Sequence, residues 1–173
     1  MDHSTLLTTQ RCSIRKATLN DATFIVQLLR QKSFIDNIGD KNVCDEQSAQ
    51  EYIKKAFLTP YQSGALAPYI VSLKNEEPIG IVGFYQRPYL NAPDLGYALL
   101  DQYTGQGLAL EVCTTLMQFA KSQLNLSALY AVTDPNNERS QKLLAKLGFN
   151  NSGYLYAHSP HDPVSLFIKL FKV

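Results

Sequence analysis

The sequence predicts an α/β (α+β) protein, because strand-like and helix-like patterns alternate along its 173 residues. Cys12–Lys16 alternates with the period of two that is typical of a strand, and the next segment has a helical period. No long linker and no internal repeat interrupts the order βααβββαβαββ. A chain of this length can bury one substantial core, so we expect a single domain over residues 1–173.

The first half of the chain predicts two helices and three strands. Thr18 and Asp21 have the spacing of a capping box, and the apolar residues Phe24, Ile25 and Leu28 that follow share one helix face. The other elements of this half are a loop or short helix over Phe34–Gly39, a helix over Asp45–Phe57 capped by Asp45, and a hairpin of Tyr69–Leu73 and Ile79–Phe84 around the turn 75–78.

The second half predicts a strand, a helix, a second strand and helix, and a closing hairpin. These elements are the strand Leu95–Leu100, a helix with the apolar face Leu108, Val112, Leu116 and Phe119, the strand Leu129–Thr133, the helix Ser140–Leu147, and a hairpin of Tyr154–Ala157 with Ser165–Phe171. His158 and His161 flank the turn of that hairpin and are interpreted as surface residues.

Composition excludes several classes of function. A net charge of +1 gives no electrostatic case for binding nucleic acid. No apolar run is long enough to span a membrane, and residues 1–10 lack the features of a signal peptide. The three cysteines are far apart, without a CxxC pair, so we expect neither a metal site nor a disulfide framework. These features predict a cytoplasmic protein with no nucleic-acid or membrane partner.

The most informative segment is a glycine-paired turn between a predicted strand and a predicted helix. Gly105 and Gly107 let the main chain bend sharply, and the helix after them presents free amides and the positive end of its dipole. An anion is expected there. Leu110 stands where a dinucleotide-binding loop has its third glycine, and no Gly-Lys-Ser/Thr follows, so neither common nucleotide motif is complete. A purely structural turn is the alternative interpretation.

Two motifs resemble those of the GNAT acetyltransferase superfamily. Gln102, Gly105 and Gly107 match its acetyl-coenzyme A loop, Gln/Arg-x-x-Gly-x-Gly/Ala, in which the turn holds the pyrophosphate. Asn137 and Ser140 match its Asn-x-x-Ser/Ala signature, followed at the expected distance by Leu147-Gly148-Phe149. An N-capped helix ending at a glycine satisfies the second motif equally well.

The resemblance implies a fold and a cofactor. The GNAT fold has a mixed, mostly antiparallel sheet that splays between its fourth and fifth strands, here Leu95–Leu100 and Leu129–Thr133, with a bulge in the former. The pantetheine arm of acetyl-coenzyme A would lie in that opening. The implied cofactor-binding residues are Leu99, Leu100, Gln102, Gly105, Gln106, Gly107, Leu108, Ala109, Asn137 and Ser140.

The expected reaction is direct transfer of an acetyl group from acetyl-coenzyme A to a primary amine. The amine must be neutral to attack, and Asp94 matches a position at which many family members carry an acidic base. A turn residue that satisfies local amides is the other interpretation of Asp94. Many GNAT enzymes protonate the thiolate with a tyrosine, but Leu144 stands there. The RimJ/RimL branch also lacks that tyrosine, and the resemblance assigns Ser140 to the sulfur.

The acceptor is the least determined partner. Phe34, Ile38, Tyr85 and Tyr89 are predicted to line its pocket, although core packing also explains these residues. The branch implies a protein N-terminus or a small-molecule amine, bound by a monomer or homodimer. A catalytically silent acyl-coenzyme A-binding regulatory module and a nucleotide-binding protein are the two rival functions.

Overall fold

A computed structural model describes residues 5–156 and 162–171, which form an eight-stranded sheet flanked by helices. The strands are β1 Thr5–Thr8, β2 Cys12–Arg15, β3 Pro68–Leu73, β4 Pro78–Tyr85, β5 Asp94–Leu99, β6 Ala128–Thr133, β7 Asn150–Leu155 and β8 Val164–Leu170. The helices are α1 Ala22–Leu29, α2 Lys32–Ile38, α3 Glu46–Ile53, α4 Thr59–Ser63, α5 Leu108–Ser122 and α6 Glu138–Lys146, with 3-10 turns at Leu19–Asp21 and Asp101–Tyr103 and a π-helical segment at Lys54–Leu58.

The sheet is antiparallel except where β5 meets β6. Its strand order is β1-β2-β3-β4-β5-β6-β8-β7. β4 pairs with β5 along the whole of β5, from Asp94 to Leu99. The parallel pair β5–β6, by contrast, contains Asp94 and Tyr130 alone among the described residues. The predicted splay between these two strands is therefore confirmed. The prediction of a bulge in Leu95–Leu100 is wrong, because β5 pairs with β4 without a register shift. The opening instead arises because β6 diverges.

Two hydrophobic clusters cover the two faces of the sheet. α5 and α6 pack on one face through residues such as Val112, Leu116 and Leu144. α1 and α3 pack on the other face through residues such as Ile25 and Ile53. The sheet is therefore the middle layer of three, and the opening between β5 and β6 has a helical layer on each side.

The structure departs from the predicted elements at three places. β1 was not predicted: it is a four-residue edge strand that pairs with β2 and has no buried residue. The helix predicted to end at Phe57 continues through the π-helical segment into α4, where Pro60, which has no N–H to donate, is the second residue. β7 begins at Asn150 rather than Tyr154.

Other predicted elements are confirmed. The capping box of Thr18 and Asp21, the cap at Asp45 and the β3–β4 hairpin are all present. Of the loop or short helix expected over Phe34–Gly39, the helix is found, and it spans Lys32–Ile38. His158 and His161 lie outside the described residues. Within the described part of the chain, no helix has the length and apolar character needed to cross a membrane.

A buried ion pair fixes the entry into α1. Asp21 accepts two hydrogen bonds from Arg15, at 2.6 and 3.0 Å, and one from the Thr18 amide at 2.8 Å. Both side chains are almost inaccessible to solvent. Burial works to raise the pKa of Asp21, but these hydrogen bonds prevail and hold it below its ordinary value of 3.8.

We expect Asp21→Asn to lower the free energy of unfolding by about 3 kcal/mol, because it leaves the Arg15 guanidinium buried without its counter-charge. In the wild type, the stabilisation is complete above the unfolded-state pKa and is lost as pH falls through the lower folded-state pKa. Urea unfolding between about pH 3 and 7 measures both effects. The control is Asp36→Asn, which breaks an exposed ion pair with Lys32 and should change stability by less than about 0.5 kcal/mol. Equal effects of the two variants would contradict the prediction.

Candidate active site

The opening between β5 and β6, which we call the gap, exposes main-chain groups of β5. In an antiparallel ladder, successive residues direct their N–H and C=O groups alternately to opposite sides. The Leu100 amide donates to Ile79 O of β4 at 2.8 Å, so Tyr97 and Leu99 direct their main-chain groups into the gap. The expectation for Leu100 is corrected: its amide is used by β4, and its carbonyl accepts from the Tyr103 amide at 2.8 Å.

A cleft of about 420 Å³ runs along the gap. At one end lies the glycine turn, in which Gly105 and Gly107 have φ values of +75° and +77°. Gly107 is the N-cap of α5, and the first internal hydrogen bond of that helix is donated by Glu111 to Gly107 O at 3.1 Å. The amides of residues 108–110 therefore have no partner within the helix, and these residues line the cleft. This turn is suited to binding an anion.

An ion pair fastens the glycine turn to the β1–β2 loop. Arg11 donates from Nε to Glu111 at 2.7 Å and from Nη1 to Gln106 O at 2.9 Å. Glu111 also accepts from the Arg11 amide at 2.7 Å and from Thr9 Oγ1 at 2.5 Å. Burial works to raise the pKa of Glu111, but the hydrogen bonds from Thr9 and Arg11 lower it. The Glu111 carboxylate, in the first helical turn of α5, thus holds the glycine turn in place through Arg11 and also complements the helix dipole.

The α1–α2 junction is fastened to the end of β5. Gln31 Oε1 accepts from the Asp101 amide at 2.7 Å, while its Nε2 donates to Leu99 O at 3.4 Å. Ser33 Oγ donates to the Asp101 carboxylate at 2.6 Å. These bonds bring Phe34 and Ile38 of α2 into the lining of the cleft.

Two hydroxyl groups meet across the inner end of the cleft. Tyr97 Oη of β5 lies 2.9 Å from Ser140 Oγ in the first turn of α6. Asn137 is the N-cap of α6, and its Oδ1 accepts from the Ser140 amide at 3.0 Å. Burial raises the pKa of Tyr97 well above its ordinary value, so this phenol stays protonated at neutral pH. All three residues line the cleft.

α6 also gives the cleft a basic side. Arg139, Lys142 and Lys146 line it, and their i, i+3, i+7 spacing places them on one helix face. Lys142 pairs with Glu138 at 2.9 Å, and both of these side chains are exposed. This side and the free amides of α5 face the same volume, so the arrangement favours a ligand that carries several negative charges.

Asp94 lies where β5 and β6 separate, and it is not among the residues that line the cleft. Its Oδ2 accepts from Arg87 Nε at 2.9 Å, and Arg87 Nη1 donates to Tyr89 Oη at 3.1 Å. Asp94 is 1% exposed, and its Oδ1 has no hydrogen-bond partner in the described part of the chain. Burial raises the pKa of Asp94, and the Arg87 guanidinium limits that rise.

The cleft brings together most of the residues predicted for the site. Those that line it are Phe34, Ile38, Leu99, Gly105, Gly107, Leu108, Ala109, Asn137 and Ser140. Asp94, Leu100, Gln102, Gln106, Tyr85 and Tyr89 do not. Gln102 and Gln106 instead bond to each other within the turn, from Gln106 Nε2 to Gln102 O at 2.8 Å. Tyr85 packs over Gly96 on the opposite face from Tyr97.

Sequence reasoning missed four residues that shape the site: Tyr97, Arg139, Arg11 and Arg87. Arg139 had a usable signal, since it shares a helix face with the two lysines. The alternation of β5 likewise indicated the orientation of Tyr97. No local pattern indicated that Arg11 pairs with Glu111 across 100 residues.

The fold and the cleft define the class of protein: a splayed sheet flanked by helices, with an opening that is suited to a long ligand carrying several anionic groups. The left-handed glycines, the free amides and the basic side of α6 fit coenzyme A. The chain belongs to the acetyltransferase (GNAT) domain family, whose model matches residues 11–150. It is therefore an acetyl-coenzyme A-dependent acetyltransferase, and the resemblance found in the sequence is confirmed.

Individual relatives agree with this assignment. The uncharacterized N-acetyltransferase YoaA of Bacillus subtilis (strain 168) is 27% identical over 164 residues, which cover 91% of this chain and 92% of YoaA. A ribosomal protein uS5-alanine N-acetyltransferase of Escherichia coli (strain K12) is 33% identical over 81 residues, 46% of this chain and 42% of that enzyme. The solved structure of RimL, a ribosomal L7/L12 α-N-protein acetyltransferase in complex with coenzyme A, matches the fold with a TM-score of 0.83 at 16% identity, covering 97% of this chain and 98% of RimL.

We expect Gly107→Ala to lower stability by about 1 kcal/mol, because a residue with a Cβ resists a positive φ. The same change should weaken acetyl-coenzyme A binding by roughly tenfold, because the turn must shift to relieve the strain. Calorimetric titration and urea unfolding measure the two effects.

Gly64→Ala is the matched control. Gly64 has a φ of +70° at the end of α4, and it does not line the cleft. We expect the same loss of stability with unchanged coenzyme affinity. A similar loss of affinity in both variants would mean that the effect reflects stability and not the turn.

Proposed function

We propose that this acetyltransferase acetylates the N-terminal α-amine of a protein or peptide by direct transfer within a ternary complex. The observation that carries the proposal is the cleft itself, which has an anion-binding turn at one end and a paired serine and tyrosine at the other. Two similar proteins support this acceptor: the ribosomal protein uS5-alanine N-acetyltransferase and RimL, a ribosomal L7/L12 α-N-protein acetyltransferase. A small-molecule amine is the competing acceptor.

The reaction requires few groups from the protein. Acetyl-coenzyme A supplies the acetyl group as a thioester. The neutral amine nitrogen forms a bond to the carbonyl carbon, the carbon–sulfur bond breaks, and its electron pair leaves with the sulfur. The nitrogen loses one proton and the sulfur gains one, so no oxidant or metal enters the balance. Main-chain amides of Tyr97 and Leu99 that face the gap are suited to bind the carbonyl oxygen.

The basic side of the cleft is assigned to the phosphate groups. Arg139 and Lys146 have no ion-pair partner among the described residues, whereas Lys142 is paired with Glu138. Coenzyme A carries a pyrophosphate and a separate phosphate, and the turn at Gly105 accommodates one anion. The cations of α6 therefore provide a second anion-binding group, apart from the glycine turn. A ligand with a single phosphate would not use both groups.

Asp94 is assigned to the amine proton. Its Oδ1 is buried and has no hydrogen-bond partner among the described residues, and burial raises the pKa of this carboxyl. A raised carboxylate pKa brings a base closer to the working pH. Because Asp94 does not line the cleft, we propose that one water molecule connects it to the amine.

The acceptor is tested with three sets of amines, each incubated with acetyl-coenzyme A and followed by mass spectrometry. The first set is peptides with a free α-amine and blocked lysines; the second has blocked α-amines and free lysines; the third contains small amines such as polyamines. We expect acetylation in the first set at a rate at least about tenfold above the others. Acetylation confined to the third set would contradict the peptide acceptor and leave the transferase assignment intact.

The role of Asp94 is tested through the pH dependence of kcat/KM. A base acts only when it is ionised, so activity should rise with pH through the raised pKa of Asp94. Asp94→Asn should lower kcat by about 100-fold. Arg87→Gln should move the acidic limb to higher pH, because the guanidinium that holds the pKa of Asp94 down is gone. Unchanged kcat in Asp94→Asn, together with reduced stability, would assign Asp94 to the fold alone.

A further inference from the structure

The pair formed by Tyr97 and Ser140 is the most specific arrangement in the cleft. It joins one edge of the gap to the helical layer beside it, because Tyr97 belongs to β5 and Ser140 to α6. Tyr97 Oη lies 2.9 Å from Ser140 Oγ and 3.4 Å from the main-chain Ser140 O, so the hydroxyl oxygen of the serine is the nearer partner. Leu144 stands where many family members have a tyrosine, so the chain provides these two hydroxyls in its place.

The direction of this hydrogen bond decides what the pair can do. If Ser140 donates to Tyr97, the serine proton is used within the protein. If Tyr97 donates to Ser140, the serine keeps its own proton and can turn it into the cleft. A phenol is the stronger donor of the two hydroxyls, and an aliphatic hydroxyl oxygen is the stronger acceptor. Burial also keeps the phenol protonated, since it raises the pKa of Tyr97.

Building on the proposed function, we propose that Tyr97 is the positioning residue for Ser140: its hydroxyl donates to Ser140 Oγ and turns the serine proton toward the sulfur of coenzyme A. The backbone of Ser140 is held independently, because Asn137 Oδ1 accepts from its amide at 3.0 Å. Tyr97 therefore sets the orientation of the hydroxyl rather than the place of the residue. A hydrogen bond from Ser140 stabilises the thiolate more than the thiol, since bonds to charged groups are stronger.

The proposal predicts a property of bound coenzyme A that needs no acceptor. The pKa of its thiol should fall on binding, so coenzyme A should bind more tightly as pH rises from the bound pKa to the free one. Desulfo-coenzyme A lacks the sulfur, so the ratio of the two affinities removes pH effects that both ligands share. The charged and ionisable groups that line the cleft are Asp101, Tyr103, Arg139, Lys142 and Lys146, and Cys113 of α5 acts electrostatically on Tyr97; both ligands meet the same groups.

The experiment measures the dissociation constants of both ligands by calorimetry between about pH 6.5 and 9.5, a range that brackets an ordinary thiol pKa. The ultraviolet absorbance of the thiolate reports the bound pKa directly. In the wild type, we expect the affinity ratio of coenzyme A to desulfo-coenzyme A to rise about tenfold, equal to one pKa unit. Tyr97→Phe and Ser140→Ala should each remove most of that rise, with the desulfo-coenzyme A affinity of the same variant as the reference.

The double variant Tyr97→Phe/Ser140→Ala separates positioning from structure. If Tyr97 acts through Ser140, the double variant should match Ser140→Ala alone. Additive losses would overturn the proposal, because Tyr97 would then act on the sulfur by itself or through the fold. Tyr69→Phe is the matched control: it removes a hydroxyl from a half-buried tyrosine of β3 that does not line the cleft, and it should match the wild type.

The remaining outcomes are also decisive. A wild-type ratio that does not change with pH would overturn the proposal while the coenzyme site stands. Failure of the wild type to bind either form would overturn the coenzyme site, and the proposed function with it. Thermal unfolding of each variant, which should remain within a few degrees of the wild type, excludes loss of the fold as the cause.

Discussion

The separation of β5 from β6 is the constraint on which the rest of the structure depends. Main-chain groups in the interior of a sheet normally have partners in the neighbouring strand. Here the two strands share one described pair, at Asp94 and Tyr130, and then diverge, so Tyr97 and Leu99 direct their main-chain groups into an opening. Apart from the Leu99 carbonyl, which accepts from Gln31, such groups must bond to water or to a ligand. A sheet that diverges in its middle thus offers main-chain hydrogen-bonding groups to a ligand, and the helices on both faces determine which ligand fits.

The gap is maintained by polar contacts at its outer end. Gln31 and Ser33 bond to Asp101 and to the carbonyl of Leu99, which fixes α2 beside the end of β5. On the other side, Glu111 holds the glycine turn through Arg11. Each contact joins segments that are far apart in the sequence, and each lies next to residues that line the cleft. Specific hydrogen bonds therefore hold the opening in place, in addition to the two apolar clusters on the faces of the sheet.

The sequence predicted those parts of the site that depend on local rules. Positive φ at Gly105 and Gly107, the cap at Asn137 and the helix after the turn follow from residue types and short spacings, and the structure has all of them. The contact of Tyr97 with Ser140 spans 43 residues and depends on how far β6 diverges, which no local pattern encodes. The pairing of Asp94 with Arg87 depends in the same way on the path of residues 86–93. β1 was missed because an exposed edge strand needs no apolar alternation.

The hydroxyl pair links the fold of this chain to its chemistry. A single side chain on α6 would place its hydroxyl near the sulfur whatever the position of β5. A pair with one member on β5 and one on α6 reaches 2.9 Å only when that strand and that helix have one particular separation. Anything that moves β5 relative to α6 would therefore lengthen that bond. The proposed hydrogen bond to the sulfur is therefore expected to be more sensitive to distant changes in the framework than an anion site formed by amides fixed within α5.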